Sequence, residues 1–316
     1  MGKKQSLPEP IYRGRFAPSP TGPLHFGSLV AAIASYLEAK HHHGIWLVRM
    51  EDLDMPRTVP GAADDILQTL DIFGLHSDEP VIYQSQRTDA YQAALQQLQN
   101  SGVVYPCTCT RKEIADSAMP GIEGVIYPGT CRSNTPGSRQ RQAWRAYTNP
   151  PKARQKTMNG KIEFDDALQD HITQDLEHEI GDFVVKRADG LFAYQLAVVV
   201  DDAFQRITNV VRGCDLLTST PRQIYLQLLL GLPTPQYMHL PIAVNAQGEK
   251  LSKQTRAPAV SSNNATEILL MALEFLCQKP PAELRGNSIE EILSWATTHW
   301  QPERLKGHHK ILLNFS

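Results

Sequence analysis

Apolar and polar positions alternate along the chain in an α/β order that is interrupted once. Ile11–Ala17 reads as a short strand, and after a Pro- and Gly-rich segment Leu29, Val30, Ile33, Tyr36 and Leu37 recur at helical spacing until Gly44 ends the pattern. Ile45–Met50 follows as a second, buried strand. Strand, glycine-containing turn, helix and strand make a βαβ unit, whose crossover is right-handed and whose ligands gather at the carboxyl ends of the strands. The stretch 15–28 lies at one such end and Glu51–Asp54 at the next.

From Tyr105 to Phe183 the regular pattern gives way to polar sequence rich in Pro, Gly and Arg, which predicts an insertion. It then resumes. Ala197–Val200 and Ile207–Val211 are strand-like, Thr220-Pro221 opens a helix over Arg222–Leu230 with a hydroxyl cap, and Gly231 stops it. His239–Val244 closes this half, before a loop over Asn245–Arg256 and helical patterns at Thr266–Gln278 and Ile289–His299. The expected division is a first catalytic half (1–104), an insertion (105–183), a second half (184–258) and a short helical C-terminal region (259–316).

The composition, 41% hydrophobic and 20% charged over 316 residues, is that of a soluble globular protein. No run approaches the about 18 apolar residues of a membrane span, and the first ten residues lack a secretory signal, so a cytoplasmic protein with no membrane partner is expected. A monomer is the expected state. The net charge of −2 does not announce a nucleic-acid binder. Locally the balance differs: eight Lys and Arg fall between Arg132 and Lys161, where there is no Asp or Glu. This predicts an electropositive surface, with Trp144 and Tyr147 available to stack on bases; a solvated loop is the alternative.

The segment Arg15–Ser28, RFAPSPTGPLHFGS, places His25, Gly27 and Ser28 at the amino end of a helix, where exposed N–H groups and the helix dipole favour an anion. The distant Lys250-Leu251-Ser252-Lys253 adds two cations on a loop suited to closing over polyphosphate. Together, Pro-Ser-Pro-Thr-Gly-x-Leu-His-x-Gly-Ser and Lys-x-Ser-Lys resemble the two signature motifs of class I aminoacyl-tRNA synthetases. Arg15–Ser19, Arg49–Arg57 (RMEDLDMPR) and Val211–Leu216 (VRGCDL) are similar to the glutamyl/glutaminyl branch. The resemblance covers about Ile11–Arg256 and implies a Rossmann-like α/β catalytic domain that uses ATP with Mg2+. It further implies that Arg15, Phe16, Ala17, Pro18, Ser19, Glu51, Tyr194 and Arg212 line the amino-acid pocket. His25, Gly27, Ser28, Lys250 and Lys253 would serve ATP, with His25 and Lys253 catalytic.

Two arginines opposite one glutamate match the two carboxylates and one ammonium of free L-glutamate in charge and number. Arg212 favours glutamate over glutamine, because a cation facing the side-chain end is poorly matched by an amide.

Cys107-x-Cys109 and Tyr127-x-x-x-Cys131 bring three thiols into the insertion. Three thiolates with one further donor close a tetrahedral zinc site, one per chain, and Tyr127 is the candidate fourth ligand; free thiols are the alternative. Cys214 and Cys277 read as small buried residues, and His41-His42-His43 as the basic end of a helix.

Only the stretch 254–316 follows Lys253, too little for the helical anticodon-reading domain of the full-length glutamyl relatives. With the cysteine–tyrosine pattern, this resembles the glutamyl-Q tRNA(Asp) synthetase family. That family makes glutamyl-adenylate without tRNA and transfers glutamate to queuosine at the wobble position of tRNA(Asp). A truncated glutamyl-tRNA synthetase with another acceptor, or an inactive tRNA-binding paralogue, are the alternatives.

Overall fold

A computed structural model of the chain describes residues 11–117, 119–122, 124–133, 141–150, 160–245, 247–248 and 264–312. The strands Arg13–Phe16 and Ile45–Met50 lie parallel, from the pair Arg13–Ile45 to Phe16–Val48, and are joined by the helix Phe26–His41. This is the βαβ unit expected from the sequence. Gly44 is required at its reversal, since a Cβ there would stand 2.5 Å from the Tyr12 carbonyl oxygen. Trp46 fixes helix to sheet by donating its indole N–H to Ser35 Oγ at 2.9 Å. Ile82–Tyr83 extends the sheet on the far side of Ile45–Met50.

A second sheet pairs Asn209–Gly213 with the parallel strand Gln236–Leu240. The antiparallel hairpin Lys161–Asp166/Asp170–Asp175 joins this sheet through the pair Tyr237–Asp166, so part of the polar middle stretch is built into it. The two sheets meet where Thr208 N donates to the Arg13 carbonyl at 2.9 Å and Arg13 N donates to Thr208 Oγ1 at 2.8 Å. Arg15–Ser19 leaves the carboxyl end of one strand and Arg212–Gly213 ends the other, the position at which α/β sheets take up ligands.

The structure overturns the strand expected at Ala197–Val200, which belongs to the helix Tyr194–Phe204. Leu196, Ala197, Val198 and Val199 are buried together with Asp201 and Asp202. A helix buried nearly all round shows no polar stripe, and a run of valines then imitates a strand. Thr220–Leu230 is the expected helix, with proline in its first turn and Gly231 ending it at φ 67°. Its N-cap is Ser219 without a side-chain cap bond, because the Thr220 hydroxyl serves Arg212 instead. The helices Ala265–Phe275 and Ile289–Thr298 pack on Phe26–His41 in one core. There Phe275 meets Phe26 edge-on at 5.9 Å, and the Trp300 indole N–H donates to the Glu38 carboxylate.

Within the middle stretch, Val104–Cys107, Ala143–Ala146 and Phe183–Lys186 form an antiparallel sheet whose inner face shares a core with Leu47, Tyr91, Val198 and Tyr225. Cys214 and Cys277 are half-buried rather than buried; Cys214 Sγ lies 3.0 Å from the His309 carbonyl at the rim of the short pair Ile242–Val244/Lys310–Leu312. His41 and His42 end their helix with ring contacts to the Thr297 carbonyl and to Tyr12, as a helix terminus does. No helix among the described residues is long and apolar enough to cross a membrane.

Candidate active site

A cleft of about 810 Å³ opens at the carboxyl ends of the strands. Its walls bring together Arg15, Phe16, Ala17, Pro18, Ser19, His25, Gly27, Ser28, Glu51, Tyr194 and Arg212, from segments far apart in sequence. Lys250 and Lys253 lie outside the described residues.

At the helix end of the cleft, His25 is the N-cap of Phe26–His41: its Nδ1 accepts from Ser28 N at 3.3 Å, and its Nε2 stands 3.1 Å from Ser28 Oγ. The first turn carries no acidic residue, so the positive end of the helix dipole is left uncompensated toward the cleft. Arg187 and Asp54, linked at 3.4 Å, also line the cleft.

Deeper in the cleft the charges are locked to one another. Arg15 donates from Nε to Asp202 Oδ1 at 3.1 Å and from Nη2 to Oδ2 at 3.4 Å. Arg49, wholly buried, donates from Nη1 to Asp202 Oδ1 at 2.7 Å and to Gln205 Oε1 at 2.9 Å, and from Nη2 to Glu51 Oε1 at 3.2 Å. Burial would raise the Asp202 carboxyl, but Arg15 and Arg49 hold it below the usual carboxylate range. Burial wins at Glu51, which is raised although Arg49 and Arg15 pull the other way. A buried carboxylate with this surplus affinity for positive charge suits a ligand ammonium.

Arg212 is held on three sides. Nε donates to His239 Nε2 at 3.1 Å, Nη2 to Thr220 Oγ1 at 2.8 Å and to the Leu216 carbonyl at 3.5 Å, and Nη1 to Tyr194 Oη at 3.4 Å. His239 in turn sits 2.6 Å from Asp166 through Nδ1. Asp202, Thr220, His239 and Asp166 are therefore parts of the site that lie in none of the motifs, and Arg49, which opens the motif Arg49–Arg57, is a part that was not among the expected site residues. The signals present were an arginine inside the apolar run Ile45–Met50 and two aspartates directly after the valines of 198–200.

The three cysteines converge as the sequence suggested. Cys107 ends a strand, Cys109 precedes the capped helix Arg111–Ala115, and Cys131 follows the turn at Gly129; their sulfurs lie within 4.8 Å of one another. Cys109 and Cys131 Sγ are 3.5 Å apart, and Tyr127 Oη lies 3.4 Å from Cys107 Sγ and 3.5 Å from Cys109 Sγ. A tetrahedral zinc with bonds of about 2.3 Å sets its sulfurs roughly 3.8 Å apart, so the donor set fits that ion. Burial pushes Cys109 up to about 11, while Cys131, despite burial, is drawn down to about 7 by hydrogen bonds from Tyr127 and its neighbours. Thiols so close do not all ionise together without a cation.

The basic stretch is less free than its composition implied. Arg132 is paired with Asp182 at 2.6 and 2.7 Å, Arg145 donates to the Asp182 carbonyl at 2.8 Å and lies over the Tyr127 ring, and Lys161 pairs with Glu163. Tyr147 is buried against Tyr105 and offers no face for base stacking. The acidic partners of Arg132 and Lys161 come from outside the stretch 132–161, which holds no Asp or Glu. Arg139, Lys152, Arg154 and Lys156 lie outside the described residues.

Residues 12–276 match the family of tRNA synthetases class I (E and Q), catalytic domain. A glutamyl-Q tRNA(Asp) synthetase from Dechloromonas aromatica is 56% identical over 304 residues, covering 96% of this chain and 98% of the relative. A protein of the same name from Thiobacillus denitrificans is 53% identical over 295 residues, covering 93% and 95%. Among solved structures, the glutamate-tRNA synthetase from Elizabethkingia anophelis shares the fold with a TM-score of 0.77 at 22% identity, over 97% of this chain and 68% of that one. The cleft at the sheet junction, the Arg15–Ser28 motif and this extent of similarity agree: the chain belongs to the glutamyl-Q tRNA(Asp) synthetase family of class I synthetases, ATP-dependent ligases.

Proposed function

We propose that this chain condenses L-glutamate with ATP to glutamyl-adenylate without needing tRNA, and then esterifies the glutamyl group onto the queuosine at the wobble position of tRNA(Asp). The observation that carries the first step is that Arg15, Glu51 and Arg212 line one cleft together with the amino terminus of Phe26–His41. Two cations and one anion complement glutamate, and the helix end faces the region where polyphosphate charge accumulates. Arg15, Phe16, Ala17, Pro18, Ser19, Glu51, Tyr194 and Arg212 are assigned to glutamate; His25, Gly27 and Ser28 to ATP, together with Lys250 and Lys253.

The glutamate α-carboxylate attacks the α-phosphorus of ATP and pyrophosphate leaves, a reaction that asks the protein for alignment and charge stabilisation rather than covalent chemistry. His25 and Lys253 act on the phosphates. Mg2+ accompanies ATP and neutralises phosphate charge. Zinc, held by Cys107, Cys109, Cys131 and Tyr127, is structural and stabilises the polar middle region. The acceptor rests on the name shared by the relatives, and a cytoplasmic monomer is the expected form.

Transfer of labelled glutamate to tRNA(Asp) with and without queuosine, beside tRNA(Glu), tests the reading. Label is expected on queuosine-containing tRNA(Asp) alone. Equal labelling of both forms of tRNA(Asp) overturns the acceptor, and absence of glutamate-dependent pyrophosphate exchange overturns the activation step.

A further inference from the structure

Arg212 enters the cleft as the end of a chain of buried groups. Of its five guanidinium protons, four are directed at His239, Thr220, Leu216 and Tyr194, which leaves the second proton on Nη1 for a ligand among the described residues. The direction of that proton depends on His239. Arginine cannot accept, so the 3.1 Å contact from Arg212 Nε requires an unprotonated His239 Nε2 and places the ring proton on Nδ1, 2.6 Å from Asp166 Oδ2. Asp166 cannot turn away: Oδ1 accepts from the backbone N–H of Leu168 and Gln169 at 3.0 Å each and of His239 at 3.1 Å. His239 and Asp166 side chains are both fully buried, and burial with the nearby Arg212 depresses His239 to about 4, which keeps the ring neutral.

Tyr194 completes the arrangement. Its Oη accepts from Arg212 Nη1 at 3.4 Å, and Tyr194 lines the cleft with a hydroxyl proton of its own to donate. Arg212 and Tyr194 therefore offer two donors at this wall of the cleft. A carboxylate meets both donors with a full negative charge opposite the guanidinium, whereas glutamine can offer them only the neutral oxygen of its amide.

We propose that Asp166 and His239 are positioning residues that aim Arg212, and through it set the preference of this wall for a carboxylate over an amide. The inference rests on the assignment of Arg212 and Tyr194 to the glutamate site. Asp166→Asn is the diagnostic substitution. The three backbone N–H groups hold the amide oxygen at the Oδ1 position, so the amide NH2 faces His239 Nδ1, forcing the ring proton to Nε2 and against Arg212 Nε–H.

Calorimetric titration of the whole chain with glutamate, glutamine and ATP reads the outcome. Asp166→Asn should weaken glutamate binding by roughly 10- to 100-fold, as loss of a group that orients a histidine does elsewhere. ATP affinity should be unchanged, and the preference for glutamate over glutamine should shrink. His239→Leu should behave alike, whereas His239→Gln, whose Oε1 can accept from Arg212, should recover most of the affinity. Nitrogen-15 shifts of His239 should show a protonated Nδ1 in the native chain and a protonated Nε2 in Asp166→Asn. Unchanged glutamate affinity in a folded Asp166→Asn overturns the proposal, as does a native His239 protonated on Nε2, a measurement that needs no variant to fold. If Arg212→Ala binds glutamate normally, the underlying site assignment has failed; if it loses glutamate while Asp166→Asn does not, only the positioning role has.

Discussion

The charged side chains at the cleft are held chiefly by one another, and their partners are remote in sequence. Arg15 reaches Asp202 across 187 positions, Arg49 reaches the same carboxylate across 153, and His239 reaches Asp166 across 73. Arg15, Glu51 and Arg212 were legible because they sit in motifs with fixed spacing. Asp202, Asp166 and His239 were not, because no spacing rule connects residues that only the fold brings together. The buried histidine has a consequence for stability. Its pKa stands near 4 in the folded chain, chiefly through burial, against an ordinary 6.5. As pH falls through this window the unfolded chain takes up a proton that the native chain refuses, so stability declines from pH 6.5 to 4, by about 3 kcal/mol in total. Urea midpoints measured across this range should fall more steeply for the native chain than for His239→Gln, and parallel curves would exclude His239 as the source.

At the scale of elements, helix ends and strands that bear on function were read with unequal success. Ile45–Met50 and Phe26–His41 fell where the sequence pattern placed them, since Gly44 and the polar residues beside it separate the helix from a strand of continuous apolar sequence. Tyr194–Phe204 did not, for its run Val198–Val200 has the β-branched composition of a strand and no glycine marks its ends. The cap of Phe26–His41 combines two tasks in one ring: His25 satisfies Ser28 N and stands on the wall assigned to phosphate. The tasks can be separated. Asn is a good N-cap but cannot reproduce an imidazole reaching toward phosphate, so His25→Asn should keep the melting temperature while slowing glutamate-dependent pyrophosphate exchange by about 100-fold. His25→Ala should lose activity similarly and in addition about 1 kcal/mol of stability. Native-like exchange by His25→Asn would reduce His25 to a cap and nothing more.

For the molecule as a whole, the middle region is organised around a buried carboxylate. Asp182 accepts from Tyr105 Oη at 2.5 Å, from Arg132 Nε and Nη2 at 2.6 and 2.7 Å, and from Thr148 N and Oγ1 at 2.9 and 3.0 Å. The same region is tied to Thr220–Leu230 by Tyr225, whose hydroxyl donates to the Tyr147 carbonyl at 2.6 Å. Tyr105 and Tyr147 pack in one small core with Cys107, Tyr127 and Cys131, so the carboxylate and the thiol cluster support each other through shared neighbours. That core is too small to be stable by apolar burial alone, and a metal bond adds folding free energy directly. Two outcomes follow from this coupling. Protein purified without chelator should carry one zinc per chain by elemental analysis, and Cys109→Ser should lose it. Asp182→Ala, which strands Tyr105, Thr148 and a partly exposed Arg132, should cost about 3 kcal/mol, release zinc to a chromogenic chelator faster than the native chain, and expose the region 105–150 to protease before the catalytic sheets open. Zinc retention and an unchanged cleavage pattern in Asp182→Ala would separate the two sites energetically and leave the thiol cluster as an independent clasp.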